Sequence, residues 1–271
     1  MNFNTKKNSQ AQYQGYLHTP MLWKNSVFGI QQFEFSTDIE NIFNESIPEN
    51  LRLGKRVERF VSSELQQNNK ITILLENVQV QNEKITIGEI DCILKHNNRP
   101  IHLEIIYKFY LFDNRIGNTE IEHWIGPNRN DNLLKKLTKL KEKQLPLLYN
   151  ALTKPLLDNL SLNANEVEQA VCFKAQLFVP YLKDVEFKEL NKECINGFYV
   201  QLSEIKQFAD CKFYIPSKIN WLLEVQTHVK WLNYELFAEK VTVLANEKTS
   251  PLCWIKFPNG SIQKFFVVWW S

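Results

Sequence analysis

The chain reads as an α/β protein, with a central mixed sheet flanked by helices. Two observations predict it. An amphipathic helix, three strand-like runs and a second helix succeed one another between residues 51 and 145. Further strand-like runs then recur to the C-terminus with one helical segment among them, as a layered sheet-and-helix protein requires.

Each element has its own signal. Residues 1–10 are polar and expected to fray. Residues 11–47 mix aromatic residues with turn signals and read as a segment wrapping over the core. From Leu51 the pattern turns helical: Leu53, Val57, Phe60, Val61 and Leu65 lie on one face, and the polar QQNNK ends the helix. ITILLENVQVQ (71–81), KITIGEIDCIL (84–94) and IHLEIIYKFYL (101–111) are rich in β-formers. The last two are joined by KHNNRP, which has hairpin length and turn chemistry. Residues 112–128 read as a mobile loop. Asn128 or Asn130 would cap a helix whose buried stripe is Leu133, Leu137 and Leu140 and which ends at Pro146. A short helical stretch near 147–160 precedes a buried strand at about 169–179. CINGFYVQL, CKFYIP, PLCWIKF and the closing FFVVWW read as strands, with helical WLNYELFAEKVTVLA between them. The expected domains are a wrapping segment 1–47, a core 48–185 and a smaller α+β C-terminal region 186–271.

Composition narrows the function classes. With 8 Gly and neither a G-x-x-x-x-G-K-[ST] nor a G-x-G-x-x-G, backbone cradles for nucleotide phosphates are not supported. The net charge is +2, so an anionic partner would have to be met by a local patch rather than by bulk charge. Five scattered cysteines without C-x-x-C spacing fit reduced, buried thiols better than a disulfide framework or a zinc site. The N-terminus lacks the apolar run of a signal peptide, and no stretch approaches the roughly 20 apolar residues that span a bilayer. The expected location is cytoplasmic.

The chemistry concentrates in residues 88–113. Side chains alternate along a strand, so Glu89, Asp91 and Ile93 share one face, as do His102, Glu104, Ile106 and Lys108 on the next strand. Both strands carry apolar residues on both faces. Such strands are buried on both sides, where Asp91, Glu104 and Lys108 are costly unless paired or bound to metal. Two carboxylates on adjacent strands can share a hard divalent ion that keeps several waters. The alternative is an ordinary Glu–Lys pair on a wet hairpin face.

Asp91, then Glu104 thirteen residues on, then Lys108 resembles the D…(D/E)-x-K signature of the PD-(D/E)XK phosphodiesterase superfamily, and the helix–three strands–helix order resembles its restriction-endonuclease-like αβββα core. More narrowly, RLGKRVERF, GEIDCIL, HLEIIYKFYL, WIGPNRNDNLLKKLTKLKEKQLPLL and LFVPYL resemble the DUF1853 family. The superfamily resemblance implies a Mg²⁺- or Mn²⁺-dependent nuclease, a hydrolase of phosphodiesters in nucleic acid, DNA in the first instance. It places Asp91 and Glu104 on the metal, with Glu58 as a further acidic ligand, and Lys108 as the catalytic lysine. Gln144 resembles a glutamine that approaches the site in the exonuclease branch. One departure stands: the superfamily's lysine comes two residues after the acid, where this chain has Ile106, and Lys108 lies about 7 Å further along the same strand face.

Several of these residues keep an alternative. Glu58 reads equally as a boundary glutamate paired with Arg59 or Lys55. Gln144 continues the leucine stripe, where it could be a buried amide satisfying backbone. Lys136, Lys139 and Lys143 share a face at i, i+3 and i+7, which suits a phosphate backbone or a solvated surface. His102 could donate to Glu104; His123 and Trp124 could clamp a substrate, or Trp124 could anchor its loop. The rival functions are a binding module for nucleic acid or protein on a retired nuclease fold, and hydrolysis of a non-nucleic phosphodiester.

Overall fold

The computed structural model describes residues 3–35 and 42–271, so residues 1–2 of the expected frayed end and 36–41 of the expected wrapping segment lie outside the description. The elements are α1 (Phe3–Leu17), β1 (Ser26–Val27), β2 (Ile30–Gln31), α2 (Leu53–Gln66), β3 (Ile71–Asn82), β4 (Ile85–His96), β5 (Arg99–Phe112), α3 (Glu120–His123), β6 (Trp124–Ile125), α4 (Leu133–Lys139), α5 (Lys154–Asn159), β7 (Glu168–Pro180), β8 (Ile195–Gln201), β9 (Lys212–Tyr214), α6 (Tyr234–Asn246), β10 (Leu252–Lys256) and β11 (Ile262–Val268). The protein is mixed α/β, as its sequence predicts. It divides into two compact units, each drawn from three stretches of chain: 1–10, 21–107 and 135–174 in the first, 11–20, 108–134 and 175–271 in the second. None of the described helices is long and apolar enough to cross a membrane.

The first unit holds α2, β3, β4 and β5 as far as Tyr107. Helix α2 buries Val57, Phe60, Val61 and Leu65, the stripe its periodicity predicts. Its buried Arg56 donates to the carbonyls of Pro48, Glu49 and Leu51, tying down the segment that leads into the helix. Strands β3, β4 and β5 are antiparallel neighbours. Asn97 and Asn98, with φ of 50° and 65°, form the two-residue connection between β4 and β5. Positive φ at both positions is the type I′ geometry that matches strand twist, and asparagine tolerates it. Burial on both faces of this hairpin is confirmed: Ile90, Cys92, Ile93, Leu94, Leu103 and Glu104 are all fully buried.

The long helix expected over 129–145 is three pieces. Asn128 does not cap it, because its Oδ1 accepts the Ser250 N–H. Helix α4 begins at Leu133, passes into a π-helical turn at Leu140–Gln144 and then a 3₁₀ turn at Leu145–Tyr149 that carries Pro146. The stripe Leu133, Leu137, Leu140 is fully buried, as expected. The π turn inserts one residue per turn and so re-aims the residues beyond it. Among those, Leu147 lies over Gly88 of β4, where a Cβ would stand 2.6 Å from Leu147 Cδ2. Glycine at 88 thus leaves room for the Leu147 side chain. Leu147 and Leu148 then close a core with Val80, Ile90, Ile93, Leu157 and Val167.

In the second unit, β7 and β8 pair in parallel, β8 and β11 likewise, and β11, β10 and β9 antiparallel. This sheet is therefore mixed. Helix α6 packs into an aromatic core in which Phe213 stacks on Phe237 at 4.0 Å and Phe265 lies against Phe198. The closing FFVVWW run is core strand, with Phe265 to Val268 buried. The expected mobile loop 112–128 instead contains α3, entered through a capping box of Thr119 and Glu122, and β6. Trp124 is fully buried against Phe112 and Phe187, so it anchors this segment.

Helix α1 was not expected. FNTKKNSQAQYQGYL has no apolar stripe, and its buried face is made by Gln12, Tyr13 and Tyr16. In the second unit, Gly15 allows its backbone to meet the Leu222 carbonyl, which a Cβ would approach to 1.9 Å. Gln12 donates to Asn220 at 2.8 Å. This helix is held by amide hydrogen bonds and close backbone contact more than by apolar periodicity.

Candidate active site

The ladder between β4 and β5 runs from His96↔Arg99 to Cys92↔Leu103 and stops there. One step on, the Ile105 N–H donates to Asp91 Oδ2 at 2.9 Å. A carboxylate therefore takes the backbone donor just past the last ladder pair. Asp91 Oδ1 has no hydrogen bond among the described residues.

Glu104 is fully buried and accepts at both oxygens. His102, also fully buried, lies 3.2 Å from Oε1 through Nε2. The Gln144 amide donates to Oε2. Each of these donors is itself held from outside. Gln169 Nε2 donates to the Leu145 carbonyl at 2.6 Å and to His102 Nδ1 at 3.2 Å. An amide nitrogen can only donate, so Nδ1 is the acceptor and Nε2 carries the hydrogen given to Glu104. On the other side, Lys136 Nζ donates to Gln144 Oε1 at 2.7 Å, which fixes which end of that amide faces Glu104. Glu104 is thus held by two neutral donors, each oriented by a further group.

Electrostatically the acids are one group. Burial is the largest influence on Asp91, the Glu104 charge comes next, and together they push its carboxyl up to about 7; the Ile105 N–H and Lys136 oppose them, and Glu58 adds to the rise. Glu58 is also raised, first by burial, with Lys55 opposing and Glu89 and Glu104 adding. Glu58 Oε2 and Glu89 Oε1 meet Lys55 Nζ at 2.7 and 2.5 Å, and Asn77 Oδ1 meets it at 3.0 Å. The pairing of Glu58 with Lys55 is therefore realised, while Arg59 pairs with Glu45 instead.

The lysines separate by role. Lys108 Nζ donates to Asp131 Oδ2 at 2.5 Å in the second unit. Lys136 is the cation whose charge reaches Asp91. Of the expected stripe, Lys139 and Lys143 are exposed and Lys136 is half-buried. The stripe assumed an unbroken α-helix, whereas Lys143 sits in the π turn.

Sequence reasoning missed Gln169, a lone strand residue with no local signal, and it missed that Lys136 belongs with the acids. The signal available for Lys136 was its spacing of eight residues from Gln144, which no α-helical rule reads as a contact across a π turn. Among the described residues no three His, Cys, Asp or Glu side chains are arranged to hold a metal ion. The pair Asp91 and Glu104 still fits a hard divalent cation, which takes one or two carboxylates and keeps its waters. The unused Asp91 Oδ1 and the mutual repulsion that raises Asp91 are what such an ion would relieve.

Fold and site together define a mixed α/β protein with an acidic pair, one member fully buried and one half-buried, where a sheet ladder ends. The chain belongs to the DUF1853 family, a domain of unknown function, whose family model matches residues 12–268. No curated protein and no solved structure matches it.

Proposed function

We propose that the protein is a metal-dependent phosphodiesterase of restriction-endonuclease-like type, acting on nucleic acid and on DNA first. The observation that carries this reading is the pair of a fully buried Glu104 and a half-buried Asp91: among the described residues neither meets a Lys or Arg side chain, while Lys136 stands one amide away from Glu104. Asp91 and Glu104 would hold Mg²⁺ or Mn²⁺, which supplies a Lewis acid for the scissile phosphate and lowers the pKa of an attacking water. The rest falls to side chains of the chain itself. His102 and Gln144 hold Glu104 in one orientation, and Gln169 sets the His102 tautomer. Lys136 would donate to an anionic phosphate oxygen, the role that the sequence resemblance put on Lys108. Glu58, paired with Lys55, would be the further acidic ligand that the resemblance implies. Lys139 and Lys143 are exposed for contact with a phosphate backbone.

The test is calorimetric titration with Mn²⁺ alongside cleavage of single- and double-stranded DNA, in wild type, Asp91→Ala and Glu104→Ala. Metal binding and cleavage in the wild type, both lost in the variants, is the expected result. A second reading is a nuclease-fold module that binds nucleic acid or protein without cutting, favoured by the engagement of Lys108 with Asp131. It predicts DNA or protein binding with no Mn²⁺ uptake in any of the three proteins.

A further inference from the structure

A second polar centre lies in the second unit, with no part in the proposed phosphodiester chemistry. Lys264 on β11 is 4% exposed. Its Nζ donates to Gln176 Oε1 at 3.0 Å and to the Trp221 carbonyl at 3.1 Å, both neutral oxygens. Among the described residues no carboxylate lies within ion-pair distance of it. Glu224 is the acid whose charge reaches it, and that carboxylate is exposed and paired with His18 at 2.8 Å. An ammonium has three N–H groups, so one donor and the whole charge are left without a match. A buried charge in that condition is costly. Burial accordingly lowers its pKa to about 7.

Lys264 and Gln176 both line a cavity of about 780 Å³. Its other walls mix apolar side chains, Val179, Phe198, Leu222 and Phe257 among them, with polar and charged ones, Lys183 and Glu224 among them. That is the size of a small-molecule site, with polar groups converging beside an apolar wall.

We propose that this cavity binds a small monocarboxylate with an apolar body, its carboxylate completing Lys264 and its hydrocarbon covering the apolar walls. The carboxylate supplies both missing items, a third acceptor and a counter-charge. An uncharged ligand of the same body supplies no counter-charge.

The experiment is calorimetric titration of the full chain with decanoate, with decanol as the uncharged comparison. One saturable site for decanoate is expected, with decanol at least about thirtyfold weaker, the loss expected on removing one partner of a buried charge pair. Lys264→Met is expected to lose decanoate by a similar factor. Gln176→Glu keeps the lysine and an acceptor in place while giving the ammonium an internal carboxylate, and it too is expected to lose decanoate by that factor. This second variant guards against misfolding of the first. Absence of saturable decanoate binding to the wild type, or unchanged binding in Gln176→Glu, overturns the proposal.

Discussion

Gln144 donates its side-chain amide to Glu104, and the π turn at Leu140–Gln144 is what brings that amide into the buried acidic group. The other end of the same amide accepts Lys136, so one side chain joins a buried acid to a half-buried lysine. Gln144 stands four residues beyond Leu140 in a leucine stripe. Leucine there would extend the apolar face but leave Glu104 Oε2 without its donor, a cost of about 1–3 kcal/mol for an unsatisfied buried polar atom. Gln144→Leu is therefore expected to lower the melting temperature modestly and to reduce metal-dependent cleavage by about ten- to a hundredfold, the range for groups that orient a metal ligand. Thermal scans and single-turnover cleavage check the two parts separately.

Lys136 and Lys108 make opposite predictions. Lys136→Met is expected to slow cleavage by about a hundredfold or more, the loss typical of removing one donor to a transition-state anion. Lys108→Met breaks a half-exposed pair with Asp131 and should cost less than about 1 kcal/mol of stability, with cleavage near wild type. Cleavage rates of the two variants at saturating Mn²⁺ decide between them; the reverse order would return the catalytic role to Lys108.

The raised Asp91 carboxyl sets a stability slope. Its pKa is raised from 3.8 to about 7, so between those values the folded chain holds a proton that the unfolded chain releases. The unfolded state binds fewer protons in that window, and stability falls as pH rises through it. Above about 7 the penalty is fully present. Asp91→Asn removes it and is expected to raise the urea midpoint at pH 8 while leaving it near wild type at pH 4, measured with a chelator present.

Lys264 gives a slope of the other sign in a different window. Burial lowers its pKa from 10.5 to about 7, so between those values the unfolded chain binds the extra proton. Stability rises with pH across that window as the buried amine is relieved of its charge. Lys264→Met should flatten this rise in urea titrations from pH 7 to pH 10. An unchanged slope in the variant would mean that another group carries it.

Much of the first unit was legible in the sequence. The 3.6-residue period of Leu53, Val57, Phe60, Val61 and Leu65 and the runs that became β3, β4 and β5 announced αβββ, and Asn97-Asn98 announced the turn. Apolar residues on both faces of β4 and β5 announced the burial of Glu104, whereas Asp91 and Lys108, expected to share it, are half-buried. Helix α1 was not legible, because its stabilising partners are Asn220 and the Leu222 carbonyl, some 200 residues away in sequence. The order within 112–128 was hidden for a related reason: Trp124 is held by Phe112 and Phe187, not by local pattern.

The sequence by itself determined the buried stripe of α2 and the two buried faces of β4 and β5, and therefore that Glu104 would be an expensive charge, since these follow from periodicities that one chain segment carries alone. Only the tertiary structure decided how those charges are shared. Whether Glu104 meets Lys108 or a chain through Gln144 to Lys136 depends on where a π turn falls and on how closely Leu147 can approach Gly88. Those are distances between segments that are remote in sequence, fixed by packing, and no spacing rule within one element contains them.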